Sequence, residues 1–161
     1  MIVRTTSDSD KNIFIEFSLK LARYNRNNHL DECKYDNFNL VLESIKTKAE
    51  NTFSNRNEKT LILIAELEEK PAGYALARIF TGESTADNGT GKVGLFDELF
   101  VEEWARGQKI GQKLTDKVLD WFKINGISRL KLQAYTWNKT AQKFYEKNGF
   151  REHAVFMEKF I

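Results

Sequence analysis

The chain has 161 residues, 41% hydrophobic and 30% charged, with a formal net charge of +2; this suits one globular domain with a core of its own and excludes a disordered segment. A single cysteine, Cys33, excludes an internal disulfide and a cysteine-built zinc site, and two histidines, His29 and His153, argue against a histidine-rich metal centre. No apolar run reaches the ~20 residues that cross a bilayer, and residues 1–8 lack a basic stretch followed by an apolar one, so no membrane span and no secretory signal are expected, and the location expected is cytoplasmic.

Residues 2–5 read as a short edge strand, and Ser7, Asp8, Ser9 and Asp10 supply helix-capping side chains. Ile13, Phe17, Leu21 and Tyr24 recur at helical spacing, and the polar stretch 25–31 is expected to end that helix. A second helix is expected over about 36–53, with Phe38, Leu42, Ile45 and Ala49 on one face. Residues 60–67 are apolar and β-branched, residues 72–81 follow a Pro-containing turn, and the two read as a hairpin. Residues 82–92 are polar and glycine-bearing, an exposed connection.

A strand over 93–101 carries Asp97 and Glu98 in its middle. A glycine-bearing turn follows, then a helix whose apolar face is Ile110, Leu114, Val118, Trp121 and Phe122, ended by Asn125 and Gly126. Residues 129–135 alternate as a strand, a short helix runs from Asn138 to Asn148, and 150–161 read as a final hairpin. The expected order is β-α-α-β-β-β-α-β-α-β-β, an α/β chain (α+β mixed sheet) in a single domain, 1–161, with no internal repeat.

Charge is uneven along the chain. Residues 1–101 hold 13 Lys and Arg against 16 Asp and Glu, while residues 102–161 hold 12 against 7. A net of +5 in the second part suits an anionic ligand, although a difference of this size is also ordinary surface composition. The segment Arg106-Gly107-Gln108-Lys109-Ile110-Gly111 opens a helix, where unpartnered N–H groups and the helix dipole favour a phosphate. It matches neither the Walker P-loop nor the dinucleotide fingerprint, which argues against an NTPase or a dehydrogenase.

Taken together, the stretch 95–150 resembles the GNAT superfamily of acyl-CoA-dependent N-acetyltransferases. Asp97-Glu98-Leu99-Phe100-Val101 resembles the family's central strand, and residues 106–111 resemble its pyrophosphate loop, Arg/Gln-x-x-Gly-x-Gly/Ala. Residues 137–150 resemble its closing run, Asn-x-x-Ala-x-x-Phe-Tyr-x-x-x-Gly-Phe. One departure stands out, for Lys109 occupies a position where the family usually has glycine.

The resemblance implies a splayed central mixed sheet flanked by helices, with acetyl-CoA as co-substrate and no metal. Residues 1–92 would lie mainly on the acceptor side and 93–161 mainly on the acetyl-CoA side. Pantetheine would enter the parted sheet and pair with the backbone of Leu99, Phe100 and Val101. Arg106, Gly107, Gln108, Lys109, Ile110 and Gly111 would hold the pyrophosphate. Asn138 would cap the last helix, bond the pantetheine arm, or both. Tyr145 would protonate the departing sulfur, since a phenol with a reference pKa near ~10 keeps its proton at neutral pH.

An attacking amine must lose a proton, and Asp97 or Glu98 is expected to take it. As neighbours on a strand the two are expected to point to opposite faces, so only one would face the acceptor; the sequence leaves open which. A competing route through Cys33 as an acyl-carrying nucleophile lacks a nearby histidine in the motif region.

For the acceptor, Asp31, Glu32, Asp36, Asp97 and Glu98 hint at a small cationic amine such as a polyamine or an aminoglycoside, with Tyr24, Tyr35, Phe38 and Phe53 as aromatic walls. A protein or peptide amine and a non-catalytic acyl-CoA sensor are the alternatives. No recognition motif supports nucleic acid as a partner. The resemblance leaves room for a homodimer.

Overall fold

The computed structural model describes residues 1–29, 37–82, 86, 89, 91–159 and 161. A five-stranded sheet in the order β1-β2-β3-β4-β5 forms its centre. β1 (Ile2–Thr5), β2 (Thr60–Leu67), β3 (Lys70–Thr81) and β4 (Lys92–Val101) pair antiparallel, and β5 (Leu130–Lys131) pairs parallel with β4. The α/β class and mixed sheet expected from the sequence are therefore those observed. Among the described residues no helix is long and apolar enough to cross a membrane.

The two faces of the sheet carry two apolar clusters, because strands covered on both sides read as continuous apolar runs. On one face Leu61, Leu63, Ala75 and Ala77 meet Ile110, Leu114, Val118 and Phe122 of α3 (Ile110–Ile124). On the other, Ile62, Ile64, Tyr74, Leu76 and Phe100 meet Phe14 and Phe17 of α1 (Lys11–Asn28) and Ala49 and Phe53 of α2 (Phe38–Ser54). Phe53 is thus core, not an acceptor wall. α4 (Lys139–Lys147) adds Tyr145 to the α3 side.

Three expectations are corrected. α1 continues to Asn28 rather than breaking at Asn25. The Asn28 side chain bonds the Tyr24 carbonyl (2.7 Å) and Arg26 lies over the Phe38 ring of α2 (5.3 Å), contacts that outweigh weak helix propensity. β5 is two residues long, not the run 129–135. The C-terminal hairpin does not form: residues 151–159 have no regular structure, and Val155, Phe156 and Met157 are 80%, 80% and 86% exposed. Alternation describes a face, but a strand also needs a ladder partner, and β5 offers too short an edge. The loop 83–90, apart from Ala86 and Gly89, and Cys33, Asp31, Glu32, Tyr35 and Asp36 lie outside the described residues.

β2 and β3 join through Glu68 and Glu69, both left-handed (φ 51° and 63°). Such a two-residue turn matches the strand twist but favours Asn and Gly at these places.

One close approach ties this sheet to the site. A Cβ on Gly73 of β3 would sit 2.6 Å from the Phe100 carbonyl oxygen and 3.3 Å from Val101 Cα. Both are backbone, so β3 and β4 would have to part. Gly73→Ala is expected to lower stability by about 1–3 kcal/mol, read by urea denaturation; an unchanged midpoint would show that the two strands can separate without cost.

Candidate active site

The site begins with an irregularity in β4. Its pairing with β3 runs Leu76↔Glu98 and then Ala77↔Phe96, so Asp97 is an extra residue, a β-bulge. Phe96 consequently faces the α3 side while Glu98 and Phe100 face the α1–α2 side, although a regular strand would put 96 and 98 on one face. β4 pairs with β5 only at Gly94↔Leu130 and Leu95↔Lys131, immediately before the bulge. From Phe96 to Val101 the β5-side edge of β4 has no ladder partner among the described residues, and the sheet parts.

The strand's alternation decides which backbone groups face this gap. Glu102 N–H donates to Ala72 O of β3 (2.9 Å), so Phe100, two residues earlier, also turns its N–H and C=O to β3. Leu99 and Val101 turn theirs the other way. Arg106 Nε donates to the Val101 carbonyl (3.2 Å), which fixes that direction independently. Of the three residues expected to face pantetheine, Leu99 and Val101 present backbone to the gap. Their side chains pack against the α3 cluster.

Beyond β4, a short turn of 3-10 helix (Glu103–Ala105) leads to the start of α3. Gly107 (φ 78°) and Lys109 (φ 61°) are both left-handed, and no side chain caps the helix. The left-handed region costs a residue with a Cβ roughly 1–2 kcal/mol, so this position suits glycine better than lysine. The first intrahelical bond is Lys113 N–H to Lys109 O (3.1 Å), so the amides ahead of it lack helical acceptors. Gln108 and Lys109 are exposed, Gly111 is half-buried, and Ile110 anchors the turn in the core. Arg106 lies over the Tyr24 ring (5.1 Å).

Tyr145 closes the far side of the gap. Asn148 and Gly149 (φ 84°) end α4 with Gly149 N–H on Glu146 O (3.0 Å) and Phe150 N–H on Tyr145 O (3.0 Å). This is a Schellman termination, which brings the residue after the glycine back onto the last turn. Phe150 accordingly packs against the Tyr145 ring (5.8 Å), and Phe144 and Phe96 complete its surroundings at 5.4 and 6.1 Å. The Phe96 contact spans from β4 to α4. Burial pushes the phenol up to about 12, and no described residue bonds its hydroxyl. Gln112 and Asn148 bond each other (2.7 and 3.3 Å), fixing α4 to α3. Asn138 caps α4 through Oδ1 on Ala141 N–H (3.0 Å), which leaves its Nδ2 group to donate elsewhere.

The two acids do not point to opposite faces, a further correction. Asp97 is ion-paired with Arg78, which alternates with Tyr74 and Leu76 on the α1–α2 side of β3. Glu98 lies on that side too, and Oε2 accepts from Tyr74 Oη (2.7 Å) and Ser18 Oγ (3.4 Å). Burial pushes the Glu98 carboxyl above the ordinary carboxylate range, against the lowering effect of the Tyr74 hydrogen bond.

An aromatic group joins α1 to the segment before α4, and no sequence signal announces it. Trp137 stacks on Tyr135 (5.6 Å, 13°), meets Tyr24 of α1 (6.0 Å) and donates its indole N–H to His29 Nδ1 (3.2 Å). Tyr135, Trp137 and His29 were available as aromatic residues flanking Asn138 and α1, but nothing in their spacing brings them together.

Comparisons with known proteins bear on the family and the fold. The model of the acetyltransferase (GNAT) family matches residues 23–150. The uncharacterized N-acetyltransferase YhfO of Bacillus subtilis (strain 168) is 30% identical over 102 residues, 63% of this chain and 65% of that protein. The match therefore spans just under two thirds of that relative. Two solved structures share the fold: a predicted acetyltransferase from Clostridium acetobutylicum with acetyl-CoA (TM-score 0.74, 19% identity, 99% of this chain and 95% of that one), and glucosamine-6-phosphate N-acetyltransferase from Arabidopsis thaliana (TM-score 0.65, 24% identity, 99% and 97%).

The left-handed Lys109 carries a test. Lys109→Gly relieves the backbone and adds freedom to the unfolded chain, two effects of opposite sign and similar size. Stability is expected to hold or rise by up to ~1 kcal/mol in thermal denaturation. A loss beyond ~1 kcal/mol would mean that the Lys109 side chain makes a stabilising contact.

Proposed function

Because the chain belongs to the GNAT acetyltransferase family, we propose that it transfers an acetyl group from acetyl-CoA directly to a primary amine of a small molecule. The observation that carries this is the unpaired β4 edge running from the bulge to an uncapped helix start, with Tyr145 across the gap.

The chain's groups fit acetyl-CoA chemically. Leu99 and Val101 offer strand-like donors and acceptors for the pantetheine amides, as an added strand would. Asn138 Nδ2 can join them from α4. The amides of residues 107–111, with Arg106 and Lys109, offer a dipole end and positive charge to the pyrophosphate. Acetyl-CoA bound there supplies a thioester carbonyl for attack and a thiolate leaving group.

Glu98, rather than Asp97, serves as the base. The Asp97 carboxylate is engaged by Arg78, whereas burial makes Glu98 more basic. Glu98 takes the amine proton directly or through one water. Tyr145 holds its proton at Oη throughout the working pH range and donates it toward the sulfur as charge develops there. A phenol near 12 is a weak acid beside a thiol near ~8.5, so its contribution is mainly the hydrogen bond. Cys33, outside the described residues, is not needed for this route.

The surroundings temper the expectation of a polycationic acceptor. Asp97 is neutralised by Arg78, Lys48 of α2 acts on Glu98, and the remaining acids expected to attract a cation lie outside the described residues. What this supports is a primary amine, with no requirement for a second positive charge.

A thiolate-release assay with acetyl-CoA and a panel of monoamines, polyamines, aminoglycosides and a lysine peptide tests the reading. Turnover is expected with a small amine, and Tyr145→Phe is expected to reduce kcat about 10²-fold or more while leaving coenzyme A binding by calorimetry within a few-fold. The wild-type rate should show no falling limb from Tyr145 below about pH 11, since the phenol titrates at about 12. No heat on titrating coenzyme A into the folded protein would overturn the proposal; binding without turnover on any amine would favour the sensor alternative.

A further inference from the structure

We propose that Tyr74 is a positioning residue for the transfer reaction, holding one oxygen of Glu98 so that the other is left to receive the acceptor's proton. The inference rests on the reading of Glu98 as base. Tyr74 sits in the middle of β3 with no exposed surface, yet it carries a hydroxyl. Phenylalanine would fill the same place in an apolar core, so packing does not account for the oxygen. Its partner does: Tyr74 Oη donates to Glu98 Oε2 at 2.7 Å.

Ser18 repeats the pattern from the opposite element. It lies on the buried face of α1, where alanine is the better helix former, and its Oγ donates to the same Oε2 at 3.4 Å. No described residue bonds Oε1. The carboxylate is therefore divided, with one oxygen held by two hydroxyls and the other unclaimed.

The holder is itself immobile. Phe17 stacks on the Tyr74 ring at 5.4 Å with planes 5° apart, Phe14 meets it edge-on at 5.7 Å, and Phe100 leans on Phe17 at 6.0 Å. A ring fixed on both sides fixes its hydroxyl, and through it the Glu98 side chain, as a precise base requires. The hydroxyls also favour the ionised form of Glu98 and so moderate the effect of burial. Among the described residues, the charged groups acting on Glu98 are Asp97 on β4, Arg78 on β3 and Lys48 on α2; the first opposes ionisation and the other two favour it.

The experiment compares the intact wild-type chain with Tyr74→Phe, Ser18→Ala and Glu98→Gln. The Glu98 carboxyl is titrated by NMR with 13C-labelled glutamate, its signal assigned by its loss in Glu98→Gln. Rates with the best amine of the panel are followed from pH 5 to 10. Tyr74→Phe is expected to shift the Glu98 titration and the acidic limb of kcat upward by about one pH unit, since one hydrogen bond to a charged group is lost. It should lower kcat about tenfold above that limb and leave KM for acetyl-CoA within about twofold. Ser18→Ala should move both in the same direction by less.

An unmoved titration and limb in Tyr74→Phe would overturn the positioning role. Should Tyr74→Phe fail to fold, Ser18→Ala decides, and an unmoved Glu98 titration there overturns the proposal. Normal turnover in Glu98→Gln would instead overturn Glu98 as base, and the NMR titration would still report whether Tyr74 acts on that carboxyl.

Discussion

The bulge at Asp97 is the constraint from which the site's architecture follows. One extra residue in β4 follows the last pair with β5, stands at the start of an edge without a ladder partner among the described residues, and reverses the inward face of the strand beyond it. Without it, Phe96 and Glu98 would share one face of the sheet and could not serve opposite sides. With it, Phe96 reaches Tyr145 and Glu98 reaches Tyr74, each through the core that suits it. A single irregularity thus stands where the gap begins and assigns an acid to one side of the sheet and a phenol to the other.

Rigidity around the gap comes from backbone devices as much as from packing. The Schellman end of α4 ties Phe150 to the last helical turn, and Phe150 with Phe96 holds the Tyr145 ring. The Gln112–Asn148 pair fastens α4 to α3, so the start of α3 and the phenol share one rigid unit. The remaining wall belongs to α1, which carries Ser18 toward Glu98 and Tyr24 toward Arg106 and Trp137. The two walls come from opposite halves of the chain.

Much of this was legible in the sequence where one local rule governed the outcome. β2, β3, α3 and α4 follow from periodicity and capping, and residues 106–111 and 138–150 carry the family resemblance on their face. What stayed hidden depended on partners distant in the chain. The opposite-face reading of Asp97 and Glu98 assumed a regular strand, and a bulge is decided by the pairing with β3 rather than by the residues of β4. The expected strand at 129–135 and hairpin at 150–161 have the right alternation, but a ladder needs a facing edge, which a sequence pattern does not specify. The role of Phe53 as core rather than wall likewise depends on Phe14, 39 residues away in the chain and 5.7 Å away in space.

The arrangement also separates two acids that composition alone would treat as equivalent. Asp97 and Glu98 are adjacent, of like charge, and on the same side of the sheet, so both cannot be equally ready to ionise or to accept a proton. Arg78 pairs with Asp97, while burial raises the proton affinity of Glu98. Tyr74 and Ser18 then limit that rise and orient the carboxyl. A base for an amine needs both properties, enough basicity to remove a proton and enough ionisation to be free of one at working pH. Burial alone supplies the first at the expense of the second. On the proposed reading of Glu98 as base, two hydroxyls from β3 and α1 restore the second without placing a cation against the free oxygen, which gives a physical reason for polar groups in an otherwise aromatic part of the core.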